Sequence, residues 1–236
     1  MINKSLILYS FLFLTVMNNF SIANDYVIGA GIGLGLLSMT MDENVNQEVS
    51  SASSKFGFLT TLGDFGNNLG GELQLPIILG SGAYGWGFDD DRAQTFFLYA
   101  SGAGLVTQGV TYGTKKAFAR VRPADDEDSN IYYKNRNDSF YSGHSAAAFS
   151  LATVYSEVYG TSLASRSVGY GLASLTLLGR INDKRHWLSD SIIGATMGYG
   201  LTRMYINYFK RFVNKNIVLA PNLDLDRAGV LCLVLF

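Results

Sequence analysis

Apolar positions along this chain recur three and four residues apart far more often than they alternate, and the spacing predicts helices. The longest pattern runs from Asp91 to Arg120 and should end by Arg122-Pro123, because proline disfavours helix at the residue before it. Further helices are expected from about His144 to Tyr159, Leu163 to Arg180 and His186 to Phe212. An acidic loop, Ala124 to Asp128, and a polar stretch to Ser139 connect the first of these to the second. Upstream, Tyr26 to Met41 is apolar and dotted with glycine, and Asp42 to Lys55 is polar, a loop or a short helix. Gly63-Asp64-Phe65-Gly66-Asn67-Asn68 reads as a turn cluster. Glu72 to Trp86 reads as a helix whose ends are blurred by Pro76 and several glycines. The tail, Ile217 to Phe236, is rich in Val and Leu and reads as extended. No internal repeat or long linker divides the chain, so the pattern predicts a single, mostly helical bundle with little evidence for a sheet.

Composition narrows this picture. The 236 residues suffice for one domain with a substantial core. Lys and Arg number 18 against 19 Asp and Glu, so no basic face recommends nucleic acid as a partner. Charged residues are only 16% and there are 26 glycines, which suits helices packed closely or lying near a membrane. Residues 1–23 have the form of a secretory signal. Lys4 is the positive head, Leu6 to Val16 an uncharged apolar run, and Ser21-Ile22-Ala23 puts small residues where a signal peptidase reads, before Asn24. An exported, periplasmic protein with one domain over 24–236 is therefore expected. The single cysteine, Cys232, excludes an intrachain disulfide and reads as a small apolar residue. Ala93 to Thr114 is uncharged and long enough to span a bilayer, but its Gln, Ser and Thr residues weaken it as a span. Glu157, Arg166, Arg180, Asp190 and Arg203 cut the later helices into shorter runs, so a soluble or peripherally bound bundle is expected.

Three clusters carry candidate chemistry. Lys115 and Arg122 lie seven apart, close to two helical turns, and would share a face suited to an anion; cations there would also serve a helix dipole, as Lys116 and Arg120 are expected to do. Ser142-Gly143-His144 precedes an alanine-rich helix, whose first N–H groups form a ready anion site. Gly143 permits close backbone approach, Ser142 is a phosphate donor or simply an N-cap, and His144 could protonate a leaving oxygen. Third, His186 and Asp190 are four apart, so the carboxylate could take an imidazole N–H, while Arg180 reaches back over a short loop. The chain has two histidines, and both fall in such clusters.

These residues together resemble the type 2 phosphatidic acid phosphatase superfamily, which includes bacterial class A acid phosphatases and vanadium haloperoxidases. That family's pattern is Lys, six residues, Arg-Pro; Pro-Ser-Gly-His; then Ser-Arg, five residues, His, three residues, Asp. Lys115, Arg122 and Pro123 match the first piece, Ser142, Gly143 and His144 the second, and Arg180, His186 and Asp190 the third. Tyr141 stands where the family has proline and Gly179 where it has serine. The resemblance implies an all-α bundle of the acid phosphatase/vanadium haloperoxidase type, with its motif-bearing core at about 90–212. It implies that His186 attacks phosphorus, oriented by Asp190, and that His144 protonates the leaving group. Lys115, Arg122, Arg180, Ser142 and the Gly143 amide would hold the phosphate oxygens, with no metal or cofactor.

The expected partner is a phosphorylated small molecule or lipid, and the charge-poor helices favour a lipid headgroup and association with a membrane. A non-specific acid phosphatase acting on soluble esters is the near competitor, and a non-catalytic helical envelope protein the alternative of another class. A vanadate-dependent haloperoxidase fits less well, because those enzymes are much larger.

Overall fold

The computed structural model describes residues 22–125, 128–133, 138–213, 217–224 and 227–234. Residues 1–21, which carry most of the expected signal, and Asp126-Glu127 of the acidic run lie outside them. Eight helices are described: α1 (Ile22–Ser38), α2 (Asp42–Lys55), α3 (Gly57–Gly70), α4 (Gln74–Gly87), α5 (Asp91–Phe118), α6 (Gly143–Val158), α7 (Leu163–Asn182) and α8 (Leu188–Val213). A 3-10 turn, Met39–Met41, joins α1 to α2. The extended tail is an antiparallel hairpin of β1 (Ile217–Asp224) and β2 (Arg227–Val234), in register from Ile217 opposite Val234 to Asp224 opposite Arg227. The expected helical bundle is thus the architecture, with this hairpin appended.

The centre of the bundle is α5, α6 and α8. Phe96, Tyr99, Ala100 and Ala103 of α5 meet Val154 of α6 and Ile206 of α8 in one buried cluster. A second cluster joins Tyr141 and Ala146 to Ile193, Met197 and Leu201 of α8. Burying each large apolar side chain here contributes about 1.5–3 kcal/mol. Small residues set the spacing: a Cβ on Gly198 of α8 would run into the Ala146 backbone of α6.

Several boundaries differ from the sequence expectation, each for a local reason. Helix α5 starts where the Asp90 carboxylate accepts from the Ala93 N–H at 2.8 Å. It stops at Phe118, before Arg120, because Ala119 adopts a left-handed conformation (φ 43°) and caps the helix through its N–H to the Lys115 carbonyl. Pro76 lies in the first turn of α4, where a missing N–H costs no helical bond, so it marks that helix's beginning.

The expected turn at Gly63 to Asn68 is instead the interior of α3. Gly63, Gly66 and Gly70 fall three and four apart on one buried face, and α7 packs directly against them. A Cβ on Gly63 would stand 3.0 Å from the Gly179 Cα, and one on Gly66 would overlap the Leu175 backbone. Those glycines permit close helix contact rather than chain reversal. The same contact accounts for Gly179 at the position where the resembled family has serine: a side chain there would strike the Gly63 carbonyl.

Among the described residues no helix is long and apolar enough to cross a membrane. Large apolar side chains are nevertheless exposed on several helices, among them Tyr26, Leu34 and Leu37 of α1, Leu75 and Leu79 of α4 and Leu105 of α5.

Candidate active site

A cavity of about 770 Å³ opens between α4, α5 and the starts of α6 and α8. Lys115, Arg122, Gly143, His144, Arg180 and His186 line it, so residues from all three sequence clusters meet on its walls. Ser142 and Asp190 stand behind that wall, both fully buried. The opposite wall is apolar, with Leu75, Ile78 and Leu79 of α4 facing Phe97 and Leu105 of α5.

Lys115 projects from the last turn of α5, whereas Arg122 lies four residues beyond that helix's end. The shared helical face expected from their spacing does not exist. They meet because the chain after Ala119 runs back across the site, pinned by Val121 N–H to the Ile131 carbonyl and Ala124 N–H to the Lys184 carbonyl, each at 3.0 Å. Asp138 engages both cations: its carboxylate pairs with Arg122 at 2.6 Å and lies 3.9 Å from Lys115, and its carbonyl accepts from the Lys115 ammonium. Burial, only partly offset by Asp138, lowers the Lys115 pKa to about 8.

Ser142 caps α6, its hydroxyl accepting from the Ser145 N–H at 3.3 Å and from the Ser145 hydroxyl at 2.9 Å. Of the two roles open to it in the sequence, the structure displays the N-cap; the hydroxyl faces its own helix. Gly143 opens the helix onto the cavity, with Lys115 and Thr111 beside it. A Cβ on Gly71, just after α3, would come within 2.9 Å of the His144 Nε2, so this backbone flanks the imidazole. Burial, then Arg180, Lys115 and Arg122, lower the His144 pKa to about 4. Tyr141, at the family's proline position, is buried with its hydroxyl 3.2 Å from that of Thr111; a packed side chain, not a fixed φ, holds the chain here.

Arg180 sits in the last turn of α7, where Asn67 of α3 accepts from its guanidinium at 3.4 Å and donates to Asp183 at 2.7 Å. Burial lowers the Arg180 pKa to about 10, with Arg122 adding to the effect and Asp183 opposing it. The Nε atoms of Arg122 and Arg180 are buried without a hydrogen-bond partner, so both guanidiniums retain donor capacity at the cavity.

His186 precedes α8 rather than opening it, which corrects the expected contact with Asp190. Helical four-residue geometry does not apply to a residue outside the helix. The His186 Nδ1 instead lies 2.7 Å from the Ser139 carbonyl. A carbonyl can only accept, so Nδ1 carries the proton and Nε2 keeps its lone pair. Burial, then Lys115, Arg180 and Arg122, push the His186 pKa well below its ordinary value, so the ring is neutral at pH 7. Asp190 accepts from the Ser139 hydroxyl at 2.5 Å, the Trp187 N–H at 3.1 Å and Arg120 at 2.7 Å.

Sequence reasoning missed four residues that shape this site: Arg120, Ser139, Asp138 and Asn67. Arg120, expected to serve the dipole of α5, is buried beyond the helix end. Only Asp138 and Ser139, polar residues just ahead of the Ser-Gly-His motif, carried any positional signal.

Comparisons with known proteins bear on the family and the fold. A sequence model of the PAP2 superfamily matches residues 95–214. A lipid A 1-phosphatase from Porphyromonas gingivalis is 30% identical over 172 residues, covering 71% of this chain. The aligned region is 34% of that relative, so the chain spans about a third of its length. The crystal structure of Aquifex aeolicus LpxE superposes with a TM-score of 0.55 at 22% identity, over 71% of this chain and 96% of that one. A transmembrane PAP2 type phosphatidylglycerolphosphate phosphatase from Bacillus subtilis gives a TM-score of 0.54 at 18% identity, over 79% and 97%.

Proposed function

Because the chain belongs to the PAP2 superfamily, we propose that it is a phosphatase of lipid phosphates working through a phosphohistidine intermediate. One observation carries this reading: a single cavity holds three cations and two imidazoles at one end and an apolar wall at the other. Lys115, Arg122 and Arg180 take the phosphate oxygens, with the Gly143 N–H at the start of α6 supplying a further donor. The His186 Nε2 attacks phosphorus, a P–N bond forms, and the ester P–O bond breaks. His144 gives its proton to the departing oxygen and then takes one from the water that cleaves the P–N bond. Asp190 accepts from Arg120, the Ser139 hydroxyl and the Trp187 N–H, and so holds the segment that carries the ring's acceptor. Burial, more than the neighbouring cations, holds His144 neutral, and a bound phosphate offsets only the cations, so His144 receives its proton from a monoanionic ester.

The leucine-rich wall favours substrates with an apolar body beside the phosphate, and the relatives' names, lipid A and phosphatidylglycerolphosphate, point the same way. Export to the periplasm, in a peripherally membrane-bound form, is the setting consistent with residues 1–23 and with the exposed leucines. The test is a comparison of dispersed lipid phosphates with a soluble aryl phosphate. Lipid esters should show the higher kcat/KM, and Leu105→Asp should lower it for lipids while leaving the aryl ester unchanged. Equal losses on both substrates, or a wild-type preference for the soluble ester, would assign the site to soluble phosphates.

A further inference from the structure

Behind the cavity lies a buried charge cluster that joins Asp190 to Arg120 and Asp42, neither of which is a motif residue. Arg120 is 1% exposed and every nitrogen of its guanidinium is engaged. Its Nε donates to the Ser129 carbonyl at 2.9 Å, and one terminal nitrogen donates to Asp42 at 2.7 Å. The other donates to Asp190 at 2.7 Å and to the Ser189 hydroxyl at 2.8 Å. Its plane lies over Tyr132 and Trp187, 5.5 and 5.7 Å from the ring centres. Asp42, the first residue of α2, also accepts from the Ser189 N–H at 2.8 Å and from the Ser189 hydroxyl at 2.6 Å. Two carboxylates therefore sit at the start of α8, where the helix dipole favours them, with one guanidinium between them. Burial alone would lower the Arg120 pKa, but Asp190 and Asp42 outweigh it and keep the group charged.

This cluster grips Ser139 from both ends. The Arg120 carbonyl accepts from the Ser139 N–H at 3.0 Å, and Asp190, itself held by Arg120, accepts from the Ser139 hydroxyl at 2.5 Å. The one remaining polar group of Ser139, its carbonyl, faces the His186 Nδ1. We infer that Arg120, anchored by Asp42, is a positioning residue that fixes the proton on the His186 Nδ1 and aims its Nε2, acting through Asp190 and Ser139. The inference rests on reading His186 as the nucleophile. Lysine cannot replace the group, because its three donors share one nitrogen and cannot span Ser129, Asp42 and Asp190 as the three guanidinium nitrogens do. Buried ion pairs are weak evidence for stability, but this one stands a single hydrogen-bonded residue away from the reacting ring.

The test uses Arg120→Lys and the milder Asp42→Asn in the full chain, with 15N-labelled histidine. With two histidines in the chain, His186→Ala identifies the resonances. The wild-type His186 should show the Nδ1–H tautomer, and both variants should move it toward a mixture. Phosphoenzyme formation in a single turnover should slow by on the order of 10²-fold in Arg120→Lys, as small displacements of a reacting group do. The dissociation constant for inorganic phosphate, which forms no bond to Nε2, should stay unchanged, since Arg120 is not on the cavity wall. Should Arg120→Lys fail to fold, Asp42→Asn decides on the same readouts. An unchanged tautomer, or a loss of phosphate affinity equal to the loss of rate, overturns the inference. The tautomer is read without turnover, so a wild-type protein inactive on every ester counts against the phosphatase reading and leaves this one standing or falling separately.

Discussion

Lys115 and the two histidines are tuned by the same two influences, burial and mutual repulsion among cations, and this decides how the site should respond to pH. For the free protein kcat/KM reports the groups before substrate binds. Lys115 loses its charge at about pH 8, so the affinity for inorganic phosphate should fall above that pH. Lys115→Arg keeps a cation that does not titrate in this range, and should move this fall to higher pH even if its greatest affinity is lower. Phosphate titrations of both proteins across pH 7 to 10 check this, and coincident curves would remove Lys115 from the phosphate site. On the acid side activity should fall as His186 becomes protonated, at a pH well below that of an ordinary histidine.

The contact between α3 and α7 does more than hold the bundle together, because Asn67 of α3 accepts from Arg180 of α7, a cation on the cavity wall. A methyl on Gly66 meets the Leu175 backbone, which cannot move aside as a flexible side chain could. Gly66→Ala should therefore destabilise by about 1–3 kcal/mol, the usual cost of overpacking, and weaken phosphate binding by displacing Arg180. Thermal melts with phosphate titration measure both, and a variant as stable as wild type would contradict the close approach. The later helices were legible in the sequence because their apolar spacing is long and regular, and the Lys115–Arg122, Ser-Gly-His and Arg-His-Asp motifs located the cavity wall. Helix α3 was not legible: Gly63, Gly66 and Gly70 are the residues of a tight helix contact and equally those of a turn, and spacing does not tell them apart. Nor was the His186–Ser139 contact, since a backbone acceptor leaves no trace in the identity of the residue that carries it. Arg120 was misread for a related reason, because only the left-handed Ala119 shows that the helix has already ended.

The molecule as a whole stores protonation cost in its ligand-free site. Unfolded, each imidazole titrates near 6.5, whereas folded His144 titrates at about 4. Between those values the unfolded chain binds more protons, so stability rises with pH across the window and is lost as pH falls from about 6.5 toward 4. Asp190, whose pKa burial raises, acts in the opposite sense, so the contribution of His144 is isolated by comparison. Thermal unfolding of wild type should weaken more steeply over this window than that of His144→Ala, and parallel curves would refute the depressed pKa. The same substitution should slow turnover by roughly 10²- to 10⁴-fold, as the loss of a general acid does.

In the proposed mechanism the His186 Nε2 is the atom that accepts phosphate. Mixing the protein with a 32P-labelled phosphate ester, quenching in alkali within the first turnover and mapping the label addresses it directly. The expected result is one base-stable, acid-labile phosphopeptide containing His186, absent from His186→Ala and longer-lived in His144→Ala. Steady hydrolysis with no trapped phosphoenzyme, or label carried by any other residue, would contradict it.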